Sequence, residues 1–429
     1  MLKKIPTKDL TVGMFVADVG RSWLNHPWKT KSKLLTDYNE IRELLEFGIK
    51  EVVIDTDKAQ EPKAPEASAA QAAPAVPQRP KPAQASQDLS AAPRPPLGRT
   101  SPVRPAQTAP EPVTELEMEL PKAVRAYNKA LDTSKALVAA CRMNKKIEVK
   151  AVQENVDELV DSVSRNRDAL MALMKLRRFD DYTYTHSLNV SVLAISAGKS
   201  LGLSDEDLRA LGLGTMFHDL GKTRIPPHIL NKPGKLSDDE FAIMRNHAAL
   251  SGEIIQEQKL QVEEIVFKIA RHHHERIDGS GYPDHIQGGA IPDLVTICGM
   301  SDVYDALTSD RVYHKGRSPH EALKFIYSLR GTHFQEEWVD RFVQSVGIYP
   351  PGTIVQLSSD QIAVVMEINQ AALHAPRVKT IADPNGMIYS RPKLLNLSDA
   401  KEAAGIVIKK VIPKDEAGFD PAYYFNPPK

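Results

Sequence analysis

The chain has only two cysteines among its 429 residues, Cys141 and Cys298, and they lie far apart. Two isolated thiols lack the paired spacing of a zinc site and cannot form a disulfide framework, so we expect a reducing compartment. Net charge is also absent, because 55 basic residues balance 55 acidic ones. No long-range field would recruit DNA or an anionic membrane, and recognition of a phosphate must therefore be local.

Long apolar runs are missing as well. No stretch approaches the length of a membrane span, and the first nine residues contain no apolar segment of the kind found in export signals. The sequence therefore predicts a cytoplasmic protein without a membrane span. A length of 429 residues exceeds that of a typical single domain, so we expect several structural units.

Composition divides the chain near its N-terminus. Short apolar runs at 14–16 and 51–54 predict strands, and the apolar spacing within 37–47 predicts a helix between them. Residues 1–58 are thus expected to form a small α+β domain with a regulatory role. Residues 59–113 are rich in Ala and Pro and have almost no bulky apolar side chain. Such a segment cannot offset its ordering entropy by burial, which predicts a disordered linker.

The remainder is predicted to be mainly helical, with a β-rich end. Residues 114–178 carry apolar side chains at helical spacing. This helical segment has two interpretations. It transmits a signal or mediates contact with a second copy or a partner protein, or it packs as a shoulder on the next domain. The sequence favours neither. Residues 179–350 are expected to form a helical catalytic domain. Alternating apolar residues at 354–357 and 362–365 predict hairpin strands within a C-terminal extension, 351–429.

Histidines are concentrated in the helical catalytic segment. Eight of the thirteen lie between His186 and His285, and they include the adjacent trio at 272–274. Imidazole is chiefly useful for binding borderline metals and moving protons near neutral pH. A single buried histidine is more often a core residue than a ligand, but this clustering favours a metal site. The nearby Asp219, Lys222 and Asp302 favour hydrolysis of a phosphate ester.

Capping signals predict how the ligands are delivered. Ser204 with Asp207, and Ser237 with Glu240, mark two helix starts, so several helices would converge on the site as in helical bundles. One ion would be held by His186, His218, Asp219 and Asp302. Asp219 would bridge to a second ion, which would be held by His247, His273 and His274. Two such ions activate a hydroxide and screen the charge of the phosphate oxygens.

Five ordered stretches carry a family resemblance: YTYTHSLNV at 182–190, FHDLGK at 217–222, IPPHILNKPG at 225–234, HHERIDGSGYP at 273–283 and DVYDALTSDR at 302–311. In these stretches the chain resembles the HD-GYP domain, a subgroup of the HD-type metal phosphohydrolases. The resemblance covers 179–347. The first 58 residues resemble, less specifically, the small N-terminal domain that is often fused to HD-GYP units.

The resemblance implies both a site and an activity. Its metal ligands would be His186, His218, Asp219, His247, His273, His274 and Asp302. Lys222 would lie beside the substrate phosphate, and the other substrate contacts would be Gly281, Tyr282, Pro283 and Arg311. Similar enzymes use two divalent metal ions, iron or manganese, and cleave cyclic di-GMP to pGpG, in some cases onward to GMP. Lower levels of this second messenger would increase motility and reduce biofilm formation in a bacterial host.

Two departures from the family pattern matter. Some members bind a third metal through a glutamate that is replaced here by Tyr182, so we expect two metals and not three. A basic residue that often follows the motif arginine is His314 here, with Lys315 and Arg317 as substitutes. Two rival functions stay open: hydrolysis of another nucleotide, and a non-catalytic adaptor that binds nucleotide or protein.

Three further residues have alternative interpretations. Glu275 either orients a histidine ligand or is an acid at the surface of a helix end. Asp305 is expected to support the site from the turn after Asp302. Cys298 is expected to be a small core residue.

Overall fold

In the computed structural model, the described residues are 2–7, 10–11, 14–18, 32–35, 41, 44, 49, 51–58, 113–176, 182–309, 316–414 and 416–425. The chain divides into two compact units, Met1–Pro96 and Leu97–Lys429. The predicted linker lies outside the described residues except for Val113. Its disorder stays a prediction.

The first unit contains a four-stranded antiparallel sheet. Its strands are β1 (Leu2–Pro6), β2 (Phe15–Asp18), β3 (Lys33–Leu34) and β4 (Glu51–Asp55), in the order β1-β4-β2-β3. Ile41 and Leu44 are helical and buried against this sheet together with Val16 and Val52. The rest of the helix predicted at 37–47 lies outside the described residues. The described elements confirm a small strand-containing N-terminal region with helical residues between its strands.

The second unit is dominated by helices, which bury their apolar faces in one core. They are α1 (Leu116–Arg142), α2 (Val149–Leu176), α3 (Tyr182–Ser200), α4 (Asp205–Phe217), α5 (Pro227–Leu230), α6 (Asp238–Glu257), α7 (Glu264–His272), α8 (Asp293–Thr308), α9 (Pro319–Ser328) and α10 (Glu336–Val346). Leu120 and Tyr127 of α1 and Leu159 and Leu170 of α2 share this core with α3 and α4. This observation favours the packed shoulder, and a signalling or dimer role for the segment stays a prediction.

A kink interrupts α2 at Asn166, where φ is −160° and ψ is 103°. The sequence offers no proline or glycine at this point, and side-chain hydrogen bonds replace the lost helical ones. The Asn166 Oδ1 atom accepts from the Asp168 backbone N–H at 3.0 Å, and its Nδ2 atom donates to the Thr114 carbonyl oxygen at 3.0 Å. The asparagine thus caps the second half of the helix and ties α2 to the start of α1.

The C-terminal extension is a five-stranded antiparallel sheet. Its strands are β5 (Ile354–Leu357), β6 (Ile362–Glu367), β7 (Arg377–Ala382), β8 (Ile388–Asn396) and β9 (Ile408–Val411), in the order β8-β7-β6-β5-β9. The short helices α11 (Ala400–Ala403) and α12 (Ala422–Phe425) accompany it. Alternate residues of β5 and β6 face opposite sides: Ile354 and Val364 join the helical core, while Val355 and Val365 line a separate cluster. The two predicted strands are confirmed.

Among the described residues, no helix combines the length and the apolar character that crossing a membrane requires. The predicted cytoplasmic location is not tested by this finding and stays a prediction.

Candidate metal centre

Seven side chains meet at one end of the helical core, and each is delivered by a helix or a helix end. His186 lies in the second turn of α3, His247 on α6 and Asp302 on α8. His218 caps the C-terminus of α4, and Asp219 follows it at the start of a 3₁₀ turn, Leu220–Arg224. His273 caps α7, and His274 comes next. These seven are the residues that the sequence predicted as ligands, and the structure brings all of them together.

The predicted capping signals are confirmed. The Ser204 hydroxyl accepts from the Asp207 backbone N–H at 3.1 Å, and Ser237 and Glu240 form a reciprocal capping box at the start of α6. The helix before the paired histidines, α7, ends at His272, so His273 and His274 point from a helix end and not from a helix face.

The turn after His218 approaches α6 very closely. A Cβ atom on Gly221 would lie 2.0 Å from the His247 carbonyl oxygen, so the position accepts only glycine without a backbone shift. The Gly221 N–H donates to the Ser251 hydroxyl at 2.8 Å, and this hydroxyl lies 2.6 Å from the His218 carbonyl oxygen. Ser251 therefore fixes the 218–222 turn against the helix that carries His247.

The first group of ligand atoms contains His186, His218 and Asp302. The His186 Nε2 atom lies 3.1 Å from Asp302 Oδ1 and 3.4 Å from Asp219 Oδ2. The His218 Nε2 atom lies 4.0 Å from the same Asp302 oxygen and 3.5 Å from Asp219 Oδ2. Nitrogen and carboxylate oxygen atoms at these separations could share one cation.

The second group contains three imidazoles that present nitrogens to one another. The His247 Nε2 atom lies 3.1 Å from His274 Nε2 and 3.4 Å from His273 Nε2. Lone pairs of neutral imidazoles repel one another at such distances unless a proton or a cation lies between them. This group could therefore also hold a cation.

Asp219 lies between the two groups. Its Oδ2 atom faces His186 and His218, whereas its Oδ1 atom lies 3.4 Å from His247 Nε2. Lys222 Nζ lies 2.5 Å from Oδ2, although the lysine follows the end of α4 at Phe217. The 3₁₀ turn brings the lysine to the aspartate.

Hydrogen bonds made by the Nδ1 atoms orient four of the histidines. The Nδ1 atoms of His218, His247 and His273 donate to the carbonyl oxygens three residues earlier, those of Thr215, Met244 and Ala270, at 2.6, 2.7 and 3.0 Å. The Nδ1 atom of His186 bonds Asp305 Oδ2 at 2.7 Å. Each Nε2 atom is thereby directed into the site, which is the arrangement that metal-binding histidines adopt. Asp305 supports the site as expected, and Ser251 is a support that motif reading missed.

The electrostatics keep most of these groups in the protonation state that a ligand needs. Burial, reinforced by neighbouring cations and histidines, lowers the pKa of His247 to about 4 and that of His274 to about 3, and it holds the pKa values of His218 and His273 below the ordinary value. Burial would raise the pKa of Asp219, but His218 and Lys222 hold it well below its usual range. Neutral imidazoles and ionised carboxylates thus coexist at neutral pH.

His186 behaves differently from the other histidines. Burial alone would lower its pKa, but its hydrogen bonds to Asp302 and Asp305 raise the pKa to about 9. In the metal-free chain a proton on this imidazole therefore offsets the local negative charge. A cation bound between His186 and Asp302 would replace that proton.

Two buried atoms of the centre lack any hydrogen-bond partner: Nε2 of His218 and Oδ1 of Asp219. Buried polar atoms are almost always paired, so each unpaired one needs an explanation. An imidazole nitrogen and a carboxylate oxygen are both ligand atoms of the type that divalent transition ions prefer, and both atoms face the other side chains of the centre. The residues present therefore fit a metal centre.

The loop after α7 closes over the second group. The Tyr282 ring lies 4.8 Å from the His274 ring, centroid to centroid, and the Tyr282 N–H donates to the His274 carbonyl oxygen. Gly281 is buried, with no room for a Cβ beside the Glu275 backbone, and Pro283 is half-buried. Among the predicted substrate contacts on this loop, Tyr282 thus places its side chain directly beside the histidines.

Glu275 has neither of its expected roles. It is buried, with 3% of its surface exposed, and its two carboxylate oxygens accept from the Asp284 and Ile286 backbone N–H groups at 2.6 and 3.0 Å. Because both partners are loop amides, Glu275 shapes the loop that carries Tyr282. Cys298 is fully buried in the core, as expected.

Two predicted substrate contacts, Arg311 and Lys315, lie outside the described residues, as do His314 and the side chain of Tyr182. Their roles stay predictions.

Comparison with known proteins assigns the chain to a family. A family model described as an HD domain matches residues 157–337, and one described as a domain of unknown function (DUF3391) matches residues 2–152. The cyclic di-GMP phosphodiesterase PA4108 of Pseudomonas aeruginosa is 35% identical over 427 residues, which cover 99% of this chain and 94% of the relative. The chain belongs to the HD-GYP family.

Two further relatives each match less than half of this chain. The cyclic di-GMP phosphodiesterase response regulator RpfG of Xanthomonas campestris is 36% identical over 42% of this chain and 48% of its own length. The 3'3'-cGAMP-specific phosphodiesterase 2 of Vibrio cholerae is 30% identical over 44% of this chain and 37% of its own length. The family prediction and the mainly helical fold class are therefore confirmed.

Proposed function

We propose that this HD-GYP protein is a metal-dependent phosphodiesterase that hydrolyses cyclic di-GMP to pGpG. The observation that carries the proposal is the cluster of buried imidazole and carboxylate groups around Asp219, in which His218 Nε2 and Asp219 Oδ1 have no hydrogen-bond partner. The relative that spans almost the whole chain is named for the same activity. The biological consequence would be lower cyclic di-GMP, with more motility and less biofilm.

The centre would hold two divalent ions, iron or manganese. His186, His218 and Asp302 would bind one ion, the three remaining histidines the other, and Asp219 both. Bound ions of this kind lower the pKa of water and neutralise charge on phosphate oxygens. Imidazole and carboxylate ligands suit both metals, and the donor set alone does not discriminate between them.

Residues around the centre would position the substrate and move its protons. Lys222 is 29% exposed and lies at the edge of the cluster, so its ammonium group can donate to a phosphate oxygen or to the leaving 3′ oxygen. Asp305 would hold the His186 ring in place. Tyr282 would form one wall of the site and keep bulk water from that side of the phosphate.

The segments that precede the catalytic domain would regulate this activity. Residues 1–58 would form the regulatory domain, 59–113 the linker, 114–178 the helical shoulder, 179–350 the catalytic domain and 351–429 an extension of its core. A partner protein or a second copy would act through the helical segment. The extension shares apolar residues such as Ile354 and Val364 with the helices, which supports its assignment as part of the catalytic unit.

The test is turnover by the full chain under anaerobic conditions, with iron or manganese supplied and products separated by chromatography. Cyclic di-GMP, cyclic GMP-AMP, cyclic di-AMP and GTP would be compared. We expect the highest kcat/KM for cyclic di-GMP, with pGpG as product, and no product from Asp219→Ala. A higher kcat/KM for another nucleotide would show that the proposed substrate is wrong. Absence of turnover despite bound metal would favour the non-catalytic adaptor.

A further inference from the structure

A half-buried arginine on α6, Arg245, lies beside the metal centre without an acidic partner among the described residues. The Arg245 Cζ atom lies 5.8 Å from the centroid of the Tyr282 ring and 5.5 Å from that of the Phe241 ring. Phe241 is itself 50% exposed. The three side chains form a surface of two rings and one guanidinium that continues outward from His274.

The guanidinium of Arg245 contacts these rings and, among the described residues, no carboxylate. Among the described residues, Arg317, Arg330 and Arg341 also lie over aromatic rings, and the last two of them are neutralised. Arg330 pairs with Asp340 at 2.9 Å, and Arg341 pairs with Glu337 at 2.6 Å. A guanidinium that rests on aromatic faces keeps its in-plane N–H donors for other acceptors. Arg245 therefore has donors to offer at the rim of the centre.

The chemistry of a cyclic dinucleotide calls for such a group. The molecule has two phosphodiesters and two purines, and only one phosphate can occupy the metal centre at a time. The cation nearest to the ligands, Lys222, already pairs with Asp219. The half of the substrate that is not being cleaved needs separate contacts, namely aromatic surface for a base and a planar donor pair for two acceptor atoms.

We infer that Phe241, Arg245 and Tyr282 form a subsite for the half of the cyclic dinucleotide that lies away from the scissile phosphate. Arg245 donates a pair of hydrogen bonds to two coplanar acceptors, and the exposed Phe241 ring adds apolar surface. Guanine O6 and N7, and two oxygens of a phosphate, both present this acceptor pattern. The inference rests on the proposed function for the identity of the substrate and extends it to residues of α6 outside the motifs.

The experiment compares the full-length, metal-loaded wild type with Arg245→Ala, Arg245→Lys and Phe241→Leu. Arg341→Ala is the matched control, because Arg341 also lies over a ring, that of Trp338. Kinetics would be measured with cyclic di-GMP and with bis(p-nitrophenyl) phosphate, which offers a scissile phosphate and no second half. We expect Arg245→Ala to lower kcat/KM for cyclic di-GMP about tenfold or more, mainly through KM. Hydrolysis of the small diester should stay within about twofold, as surface substitutions usually allow.

The lysine variant and a competitor identify the acceptor. Lysine keeps the charge but loses the planar fork, so Arg245→Lys should recover only part of the loss. Cyclic di-AMP has the same phosphates but places an amino group where guanine has O6. If Arg245→Ala weakens the binding of cyclic di-AMP, measured as inhibition, as much as it weakens the binding of cyclic di-GMP, the acceptor is phosphate. If it weakens only the binding of cyclic di-GMP, the acceptor is guanine.

Calorimetric binding of cyclic di-GMP to the metal-depleted chain separates this inference from the proposed hydrolysis. Weaker binding by Arg245→Ala would support the subsite even if the wild type turned over no cyclic dinucleotide. Equal binding and equal KM in the wild type and Arg245→Ala would overturn it. So would an equal loss with both substrates, which would mean that the substitution disturbs the metal centre itself.

Discussion

Two regions of the helical unit bury charged side chains, and they do so in opposite ways. Between α1 and α2, Glu119 is fully buried, and its carboxylate accepts from Arg165 Nε at 2.7 Å, Arg165 Nη2 at 2.9 Å and the Ser162 hydroxyl at 2.8 Å. At the metal centre, buried atoms of His218 and Asp219 have no hydrogen-bond partner. The first region is complete as folded, whereas the second is complete only with a cation.

This difference separates structural from functional burial. A buried ion pair with all its hydrogen bonds made stabilises one arrangement of two helices. A buried group of facing lone pairs costs stability and persists where it serves function. The contrast predicts that substitutions in the two regions will affect different measurements.

The largest expected effect is on activity. Asp219→Asn keeps the shape of the side chain but removes the charge that faces both histidine groups. Loss of an outer partner of a metal ligand typically costs about 10–100-fold, so loss of this central carboxylate should lower kcat/KM by more than about a hundredfold. Metal content should fall as well, measured by elemental analysis of the purified chain. Near-normal turnover with bound metal would falsify the proposed role of Asp219.

Glu119→Gln should have the reverse profile. It leaves Arg165 without its carboxylate at a buried site, and breaking such a pair typically costs about 3–5 kcal/mol. Because Arg165 is 35% exposed and can recover some solvent, we expect about 2–3 kcal/mol in urea unfolding. The kcat/KM of the folded protein should change by less than about twofold. A large loss of activity without a loss of stability would remove the distinction between the two regions.

Gly221→Ala tests the close approach of the 218–222 turn to α6. The added Cβ would overlap the His247 carbonyl, so we expect a loss of about 1–3 kcal/mol in unfolding free energy and reduced activity together. Gly289→Ala is the control, since no atom lies within 4 Å of a Cβ at that position. The control should change stability by less than about 0.5 kcal/mol. Equal effects of the two substitutions would argue against the close approach.

Asp168 is an intermediate case, and its effect should be confined to the pH dependence of stability. Its Oδ2 atom accepts from the Ile368 N–H at 3.0 Å, its Oδ1 atom has no hydrogen-bond partner, and burial raises its pKa to about 6. The folded state holds the Asp168 proton more tightly than the unfolded state does. The contribution of Asp168 to the free energy of unfolding is therefore greatest at low pH. It should fall as pH rises from about 4 through 6, by about 1–3 kcal/mol.

Asp168→Asn should remove this component of the pH dependence, measured as the difference between wild-type and variant unfolding curves at each pH. Parallel curves for the two proteins would contradict the assignment.

The set of residues that meet at the centre could be predicted because they fall in contiguous stretches, and the capping signals at Ser204 and Ser237 marked the starts of two helices that deliver them. The role of Glu275 could not be predicted, because its partners are backbone amides nine and eleven residues later, and loop closure has no sequence period. The kink at Asn166 likewise depends on a contact with Thr114, 52 residues earlier. In the C-terminal sheet, alternation predicted β5 and β6, but the pairing of β9 with β5 joins distant segments.

The central claim is that the unpaired atoms around Asp219 form a metal centre. The most direct measurement is the thermal unfolding and metal content of the metal-depleted chain, titrated anaerobically with iron or manganese, for the wild type and Asp219→Asn. Metal supplied at 100 times the dissociation constant of its site adds about 2.7 kcal/mol to the free energy of unfolding. The wild type should therefore gain several degrees in Tm, and it should bind two ions per chain. Asp219→Asn should gain less and bind fewer. A wild type that binds no metal and shows no shift, or a variant with the same shift, would contradict the account.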